Sequence, residues 1–199
     1  MGNGQEKALD YFRRHRMARP RDLRAIGVHP EDLRRLHRKG LLVRVSRGLY
    51  ELAGAEPDPN QSLIEVCTQA PTGVICLLSA LRFHEIGTQL PHEVWLAIPA
   101  KGARPRIKSP PVRIIYLSGR MYREGVEEHG RPGGKVRVFG IAKTVVDCFR
   151  FRNRIGIDVA VEALRDALRT RKTTVAQLDE VAGTCRSRTV MRPYLEAMM

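Results

Sequence analysis

The chain has 199 residues, of which 43% are hydrophobic, and its 35 Lys+Arg against 21 Asp+Glu give a formal net charge of +14. This length allows one or two domains with a sizeable core. No apolar run is long enough to span a membrane, and the opening MGNGQEKALD lacks the apolar region of a secretory signal, so we predict a cytoplasmic protein without a membrane partner.

The first 52 residues carry the sequence signals of a winged helix-turn-helix. The predicted elements are helices from 6 to 15, from 20 to Gly27 and from 30 to Gly40, and strands over 41–45 and 49–52. Pro20 and Pro30 suit the first turn of a helix, and Gly27 suits the left-handed residue that ends one. The turn Ser46–Gly48 joins two short runs into a hairpin. We therefore predict a DNA-binding domain over residues 1–52.

The third predicted helix has an apolar face and a charged face. Leu33 and Leu36 lie three residues apart and mark the buried side. Arginine on the opposite side reads guanine through O6 and N7 and also binds phosphate. At the helix N-terminus, a glutamate is placed to accept a hydrogen bond from a cytosine amino group. The predicted contacts are Glu31, Arg34, Arg35 and Arg38. The alternative is a solvated face on which Glu31 pairs with Arg35, and the winged-helix pattern favours DNA.

Residues outside this helix complete the predicted interface. Arg47 lies on the tip of the wing, and Ser46 stands beside it at the same turn. Arg19, Arg21 and Arg44 are assigned to phosphates, which position a protein on a duplex without reading its sequence. The charge distribution agrees, because residues 1–52 carry 13 basic and 6 acidic side chains.

Residues 53–60, AGAEPDPN, are predicted to form a linker, since they hold two prolines and no apolar side chain larger than alanine. Residues 61–199 are predicted to form a mixed α/β domain with a helical C-terminal end, which makes the fold class α+β. The predicted helices begin at a Ser62–Glu65 capping box, at residue 79, at residue 142, at Asp158 as a cap, at a Thr174–Gln177 capping box and near the C-terminus. The predicted strands are 93–98, 112–117 and 136–139, and residues 74–77 form a buried apolar run. Residues 100–111 and 129–135 are predicted to be loops.

No catalytic set is found in this second part. The segment Gly140–Thr144 reads G-x-x-K-T, which is too short for a phosphate-binding loop and is better explained as a helix start. His84 and His92 are interpreted as helix caps or surface residues, and Asp147 as a partner for nearby backbone or arginine. Four cysteines without a C-x-x-C spacing, Cys67, Cys76, Cys148 and Cys185, are predicted to be buried thiols. We therefore predict a binding protein with no enzymatic activity, no cofactor and no metal.

Four segments in order resemble the AbiEi-type antitoxins of type IV toxin–antitoxin systems. They are LLVRVSRGLYEL, ICLLSALRFHEIGTQLPHEVWLAIP, FGIAKTVVDCFRFRNRIGIDVAVEALRDAL and VMRPYLEAM. The resemblance covers nearly the whole chain. It implies an N-terminal winged helix that binds inverted repeats in its own promoter and represses it. It also implies a C-terminal domain that counters a nucleotidyltransferase-like toxin, without a requirement for a stable complex.

Two other classes of protein share parts of this pattern. A stand-alone winged-helix transcription factor, whose second domain senses a ligand or dimerises, fits the residues equally well. A nuclease fused to a winged helix fits less well, because its core is expected to be acidic and rich in His and Trp, and the single Trp95 lies in an apolar strand. A nucleotidyltransferase signature in the neighbouring gene separates the antitoxin from the transcription factor.

Overall fold

The structure is a computed structural model that describes residues 2–46, 48–54, 58–131 and 134–198, with the backbone only at Ser46. The chain divides into two compact units. The first takes in the described residues of Met1–Pro71, Ile107–Pro110 and Gly130–Val136. The second takes in those of Thr72–Arg106, Pro111–His129 and Arg137–Met199. The linker predicted over 53–60 stays a prediction, and its residues 55–57 lie outside the described part.

The first unit opens with three helices that share one apolar core. They are α1 (Asn3–His15), α2 (Pro20–Ala25) and α3 (Pro30–Arg38). Phe12 on α1, Leu23 on α2 and Leu36 on α3 are fully buried and belong to the same cluster. The two prolines occupy the first turns of their helices, and Gly27 has φ +81°, as the sequence predicts.

A small antiparallel sheet follows these helices. Its strands are β1 (Met17–Ala18), β2 (Leu42–Ser46) and β3 (Leu49–Leu52), in the order β1-β3-β2. Leu42 is buried, whereas Leu41 and Val43 are exposed. Leu42 is the residue of this strand that faces the core, and Arg44, two positions further on, is exposed. The strand β1 was missed because a two-residue strand carries no periodicity. The helix α4 (Gln61–Gln69) also belongs to the first unit.

A five-stranded mixed sheet forms in the rest of the chain. Its strands are β4 (Val74–Ile75), β5 (Val94–Pro99), β6 (Val112–Leu117), β7 (Val126–Arg131) and β8 (Gly134–Phe139), in the order β6-β5-β4-β8-β7. β5 is parallel to β6 and antiparallel to β4, and β4 is parallel to β8. The mixture of helices and sheets confirms the predicted α+β class.

Seven helices of the second unit are described. They are α5 (Leu77–Phe83), α6 (Arg120–Arg123), α7 (Ile141–Arg150), α8 (Arg152–Ile155), α9 (Ile157–Arg169), α10 (Val175–Thr184) and α11 (Arg188–Glu196). The central one is α7, which packs against α5, α9, α10 and α11. Its apolar residues Val145, Val146 and Phe149 are fully buried. The predicted capping box of Thr174 and Gln177 starts α10 and is confirmed.

Three local predictions are wrong. The helix α4 has Asn60 as its N-cap and no Ser62–Glu65 capping box; Glu65 is buried and accepts a hydrogen bond from Gln61 Nε2 instead. The helix α9 starts at Ile157 after Gly156, so Asp158 lies inside its first turn and does not cap it. The loop predicted at 129–135 is largely occupied by the ends of β7 and β8, whose pairing supplies hydrogen bonds that a local pattern does not reveal.

Candidate nucleic-acid interface

The helix α3 is fixed at its start by a histidine. His29 is the N-cap, and its Nδ1 accepts a hydrogen bond from the Glu31 backbone N–H at 3.3 Å. Pro30 follows in the first turn, where its missing N–H leaves no donor unpaired. Leu33 and Leu36 then hold the inner face of the helix in the core. The opposite face is thereby directed to solvent.

The outward face of α3 carries three arginines around one carboxylate. Glu31 Oε2 accepts a hydrogen bond from Arg34 Nη1 at 3.2 Å, and Glu31 Oε1 accepts one from Arg38 Nη2 at 3.0 Å. Arg35 Nε lies 3.8 Å from the same Oε1. The arginine side chains are 73%, 56% and 70% exposed in chain order. The structure thus brings all four predicted residues of α3 together, with a surplus of two positive charges.

The pairing of Glu31 with the arginines places only a small free-energy cost on the binding of a polyanion. Exposed ion pairs contribute only about 0–1 kcal/mol each, because water screens them and the side chains lose rotamer freedom. A phosphate or a guanine edge offers the same guanidinium groups a comparable or stronger acceptor. The solvated face considered from sequence alone is therefore compatible with DNA binding rather than an argument against it.

The predicted phosphate contacts at the start of α2 are held by Asp22. The Arg19 backbone N–H donates to Asp22 Oδ2 at 3.0 Å, and Arg21 Nε lies 3.5 Å from Asp22 Oδ1. Partial burial and the neighbouring Arg21 lower the pKa of the Arg19 guanidinium, and Asp22 opposes that shift. Two cations and one carboxylate leave this end of α2 net positive.

The wing places one described arginine at the surface. Arg44 is exposed on β2, where it is opposite Tyr50 of β3. Ser46 is opposite Leu49 in the same ladder, which has an irregularity between Arg44 and Ser46. The side chain of Ser46 and the whole of Arg47 lie outside the described residues, so their predicted roles stay predictions.

Sequence reasoning missed His29 and Arg24. A cleft of about 340 Å³ at the turn before α3 is lined by Arg24, Gly27, Val28, His29 and Pro30. The signal for His29 was its position directly before a helix-starting proline, which is an N-cap position. Serine, threonine, aspartate and asparagine are the usual N-caps, so a histidine there did not stand out.

In the second unit, the candidates for chemistry have structural partners. Lys143 and Asp147 are buried and paired with each other, and Thr144 Oγ1 donates to the Phe139 carbonyl at 2.9 Å. His84 Nε2 lies 2.8 Å from the same carbonyl, and its ring contacts the rings of Phe83 and His129. The G-x-x-K-T segment is therefore a helix start within the core, in line with its interpretation from sequence.

The cysteines and the basic end of α7 are also structural. All four cysteines are buried, and no disulfide joins them. Burial raises the pKa of the Cys76 and Cys148 thiols, which keeps them protonated. Arg150 Nη1 donates to the Cys185 carbonyl at 3.0 Å, and Arg152 Nη1 donates to the Phe149 carbonyl at 3.1 Å. Within the described residues, no group of three or more His, Cys, Asp or Glu is arranged to hold a metal, and no helix has the length and apolar character needed to cross a membrane.

Comparison with known proteins agrees with this geometry. The sequence profile of the family described as "Transcriptional regulator, AbiEi antitoxin" matches residues 6–53. The crystal structure of the RV2827C protein from Mycobacterium tuberculosis has a similar fold, with a TM-score of 0.60 at 15% identity over 92% of this chain and 72% of that one. No curated protein sequence matches the chain. Residues 6–53, which take in most of α1, the whole of α2 and α3, and the wing, thus match the family model of AbiEi antitoxin regulators, and the resemblance stated from the sequence is confirmed over that segment.

Proposed function

We propose that this protein is a transcriptional autorepressor and the antitoxin of a type IV toxin–antitoxin pair. It binds inverted repeats in its own promoter through the winged helix-turn-helix, and it counters a nucleotidyltransferase-like toxin without a stable complex. This activity takes place in the cytoplasm and involves no enzymatic step, cofactor or metal. The observation that carries the proposal is the arginine-rich outward face of α3, located within the segment that matches a family of antitoxin regulators.

The geometry supports a division of labour in DNA recognition. In a winged helix-turn-helix the second helix of the motif lies in the major groove, which places Arg34, Arg35 and Arg38 against base edges. Arginine bonds guanine O6 and N7 with two parallel N–H groups, which gives sequence discrimination. Arg19, Arg21 and Arg44 belong to flanking segments and suit phosphates. Ser46 and Arg47 are proposed as further DNA contacts on the wing.

The DNA-binding half of the proposal is tested by binding measurements across a salt series. We compare Arg34→Gln, Arg35→Gln and Arg38→Gln on the promoter duplex and on a scrambled duplex. A lost guanine contact costs about 1–3 kcal/mol on the promoter and relaxes specificity at one position. A lost phosphate contact weakens both duplexes equally and reduces the log–log salt slope by about one unit. The matched control is Arg14→Gln, which removes an exposed arginine from α1. Equal wild-type affinity for the two duplexes refutes the proposal.

The antitoxin half is tested by separating repression from protection. Charge reversal at Arg34, Arg35 and Arg38 abolishes repression, because it removes the cations of α3 and leaves the second unit unchanged. Cells that express the toxin from the neighbouring gene still survive when this variant is supplied from an unrelated promoter. Loss of protection at normal protein levels shows instead that the antitoxin acts through DNA alone. A neighbouring gene without a nucleotidyltransferase signature favours the stand-alone transcription factor.

A further inference from the structure

One carboxylate organises the whole cationic face of α3. Glu31 contacts the residues three, four and seven positions further along the helix, which are the three arginines of the face. Its two carboxylate oxygens have different partners: Oε2 contacts Arg34, and Oε1 contacts Arg35 and Arg38. In the free protein this carboxylate is therefore already occupied, and it is not available as a lone acceptor for a base.

The contacts leave the arginines able to read guanine. A guanidinium has five N–H donors, and the contacts to Glu31 use Nη1 of Arg34, Nε of Arg35 and Nη2 of Arg38. The remaining donors are sufficient for a bidentate contact to guanine O6 and N7. An arginine held by a carboxylate from behind also loses less side-chain entropy when it binds, because its orientation is already restricted. A specific complex is thus compatible with an intact Glu31 network.

A non-specific complex makes a different demand on the same residues. It is held by phosphates, which flank the groove instead of lining its floor. An arginine that turns to such a phosphate gives up its contact with Glu31. A scrambled duplex therefore competes with Glu31, whereas the operator does not.

We propose that Glu31 is a specificity-determining residue of α3: its carboxylate orients Arg34, Arg35 and Arg38 towards base edges and withholds them from the phosphates of unrelated DNA. This inference rests on the proposed function, because it concerns how that DNA site discriminates. It assigns Glu31 a positioning role towards the arginines in place of a direct contact with cytosine.

The adjacent residue supplies a matched control. Asp32 carries the same charge in the same first turn of α3, so its removal has a similar effect on net charge and on the helix dipole. Within the described part of the chain Asp32 makes no ion pair with an arginine, and its carboxylate lies against Gly4 at the start of α1. Comparison of Glu31→Gln with Asp32→Asn therefore separates the arginine network from charge alone.

The experiment measures the affinity of the full chain for the promoter duplex and for a scrambled duplex between about 0.05 and 0.3 M salt. For Glu31→Gln we expect a salt slope on scrambled DNA that is steeper by about 0.9, equivalent to one extra phosphate contact. That difference in slope corresponds to roughly eightfold tighter binding of the variant to the scrambled duplex at 0.1 M salt. Promoter affinity stays equal or weakens, so the ratio of promoter to scrambled affinity falls at least about eightfold. Asp32→Asn leaves the ratio near the wild-type value, and circular dichroism confirms that both variants fold.

Two outcomes overturn the inference while leaving DNA recognition intact. If Glu31→Gln and Asp32→Asn change the affinities for the promoter and for the scrambled duplex by the same factors, Glu31 acts only through net charge. If Glu31→Gln weakens the promoter and leaves scrambled binding unchanged, Glu31 reads a base directly. A wild-type protein that does not discriminate between the duplexes overturns the proposed function itself, and that result is visible before any variant is measured.

Discussion

The buried ion pair of α7 is the most demanding feature of the second unit. Lys143 and Asp147 are four residues apart, each side chain is 1% exposed, and the Lys143 ammonium donates to the Asp147 carboxylate. Lys143 Nζ also lies 4.3 Å from the centre of the Phe139 ring. Burial raises the pKa of the Asp147 carboxyl, and Lys143 opposes that shift. The second oxygen, Oδ1, accepts no hydrogen bond from any described residue.

Removal of one partner leaves the other charge buried without compensation. We expect Lys143→Met, which keeps the apolar stem, and Asp147→Leu each to lower the free energy of unfolding by about 3–5 kcal/mol. For a unit of this size that corresponds to a fall in Tm of roughly 10–20 °C. The double variant has no unpaired charge, and replacement of a buried pair by apolar residues is often neutral or stabilising. It should therefore recover most of the loss, with a coupling energy of several kcal/mol.

The single tryptophan makes this measurement local. Trp95 is buried in β5 of the second unit, so its fluorescence in a urea titration follows the unfolding of that unit. The control is Arg192→Gln, which breaks an ion pair of the same i,i+4 spacing with Glu196 on the exposed face of α11. This control should leave the urea midpoint close to wild type. If the effects of the two single substitutions simply add in the double variant, the charges do not interact and the reasoning is wrong.

Three further predictions concern the pH dependence of stability, the cap of α10, and the loop between β5 and β6, which carries Lys101 and Arg104. Burial lowers the pKa of His84, so the unfolded chain takes up a proton before the folded chain does as the pH falls. The free energy of unfolding should therefore decrease below about pH 6.5, the ordinary pKa of histidine. The variant His84→Asn should flatten this pH dependence, whereas His92→Asn, at an exposed position, should not. Thr174→Ala removes the cap of α10 and should cost about 1 kcal/mol in urea unfolding. Neutralising Lys101 and Arg104 should reduce the salt slope of the full chain on promoter DNA by up to about two units if the second unit touches phosphate, and equal slopes leave it without a DNA role.

The parts of the fold that the sequence predicted well depend on neighbours in the chain. Helices α2 and α3 begin at Pro20 and Pro30 because proline is favourable in the first turn wherever the helix lies. The cap of α10 is formed by residues three apart, and it needs no contact from elsewhere. The inner face of α3 follows from the spacing of Leu33 and Leu36. Signals of this kind are complete within one segment of sequence.

The features that were missed depend on distant partners. The strand β7 exists because it pairs with β8, and the segment Val126–Arg131 has no alternation that marks it as a strand. The burial of Lys143 and Asp147 was equally invisible, because opposite charges at i,i+4 are typical of a solvent-exposed helix face. Only the packing of α7 among its neighbouring helices shows that this pair is inside.

The DNA site stands between these two cases. The spacing of Glu31, Arg34, Arg35 and Arg38 predicts that they share a face, and the structure bears this out, yet the same spacing is also that of an ordinary helix stabilised by ion pairs. The two interpretations are not exclusive, because weak exposed pairs are what a groove-binding helix can exchange for DNA. The decisive difference lies in where the helix sits, since an arginine face at the second helix of a helix-turn-helix is in position to enter a groove. In the proposed role of Glu31, the specificity of that face depends less on how many arginines it has than on the one carboxylate that restrains them.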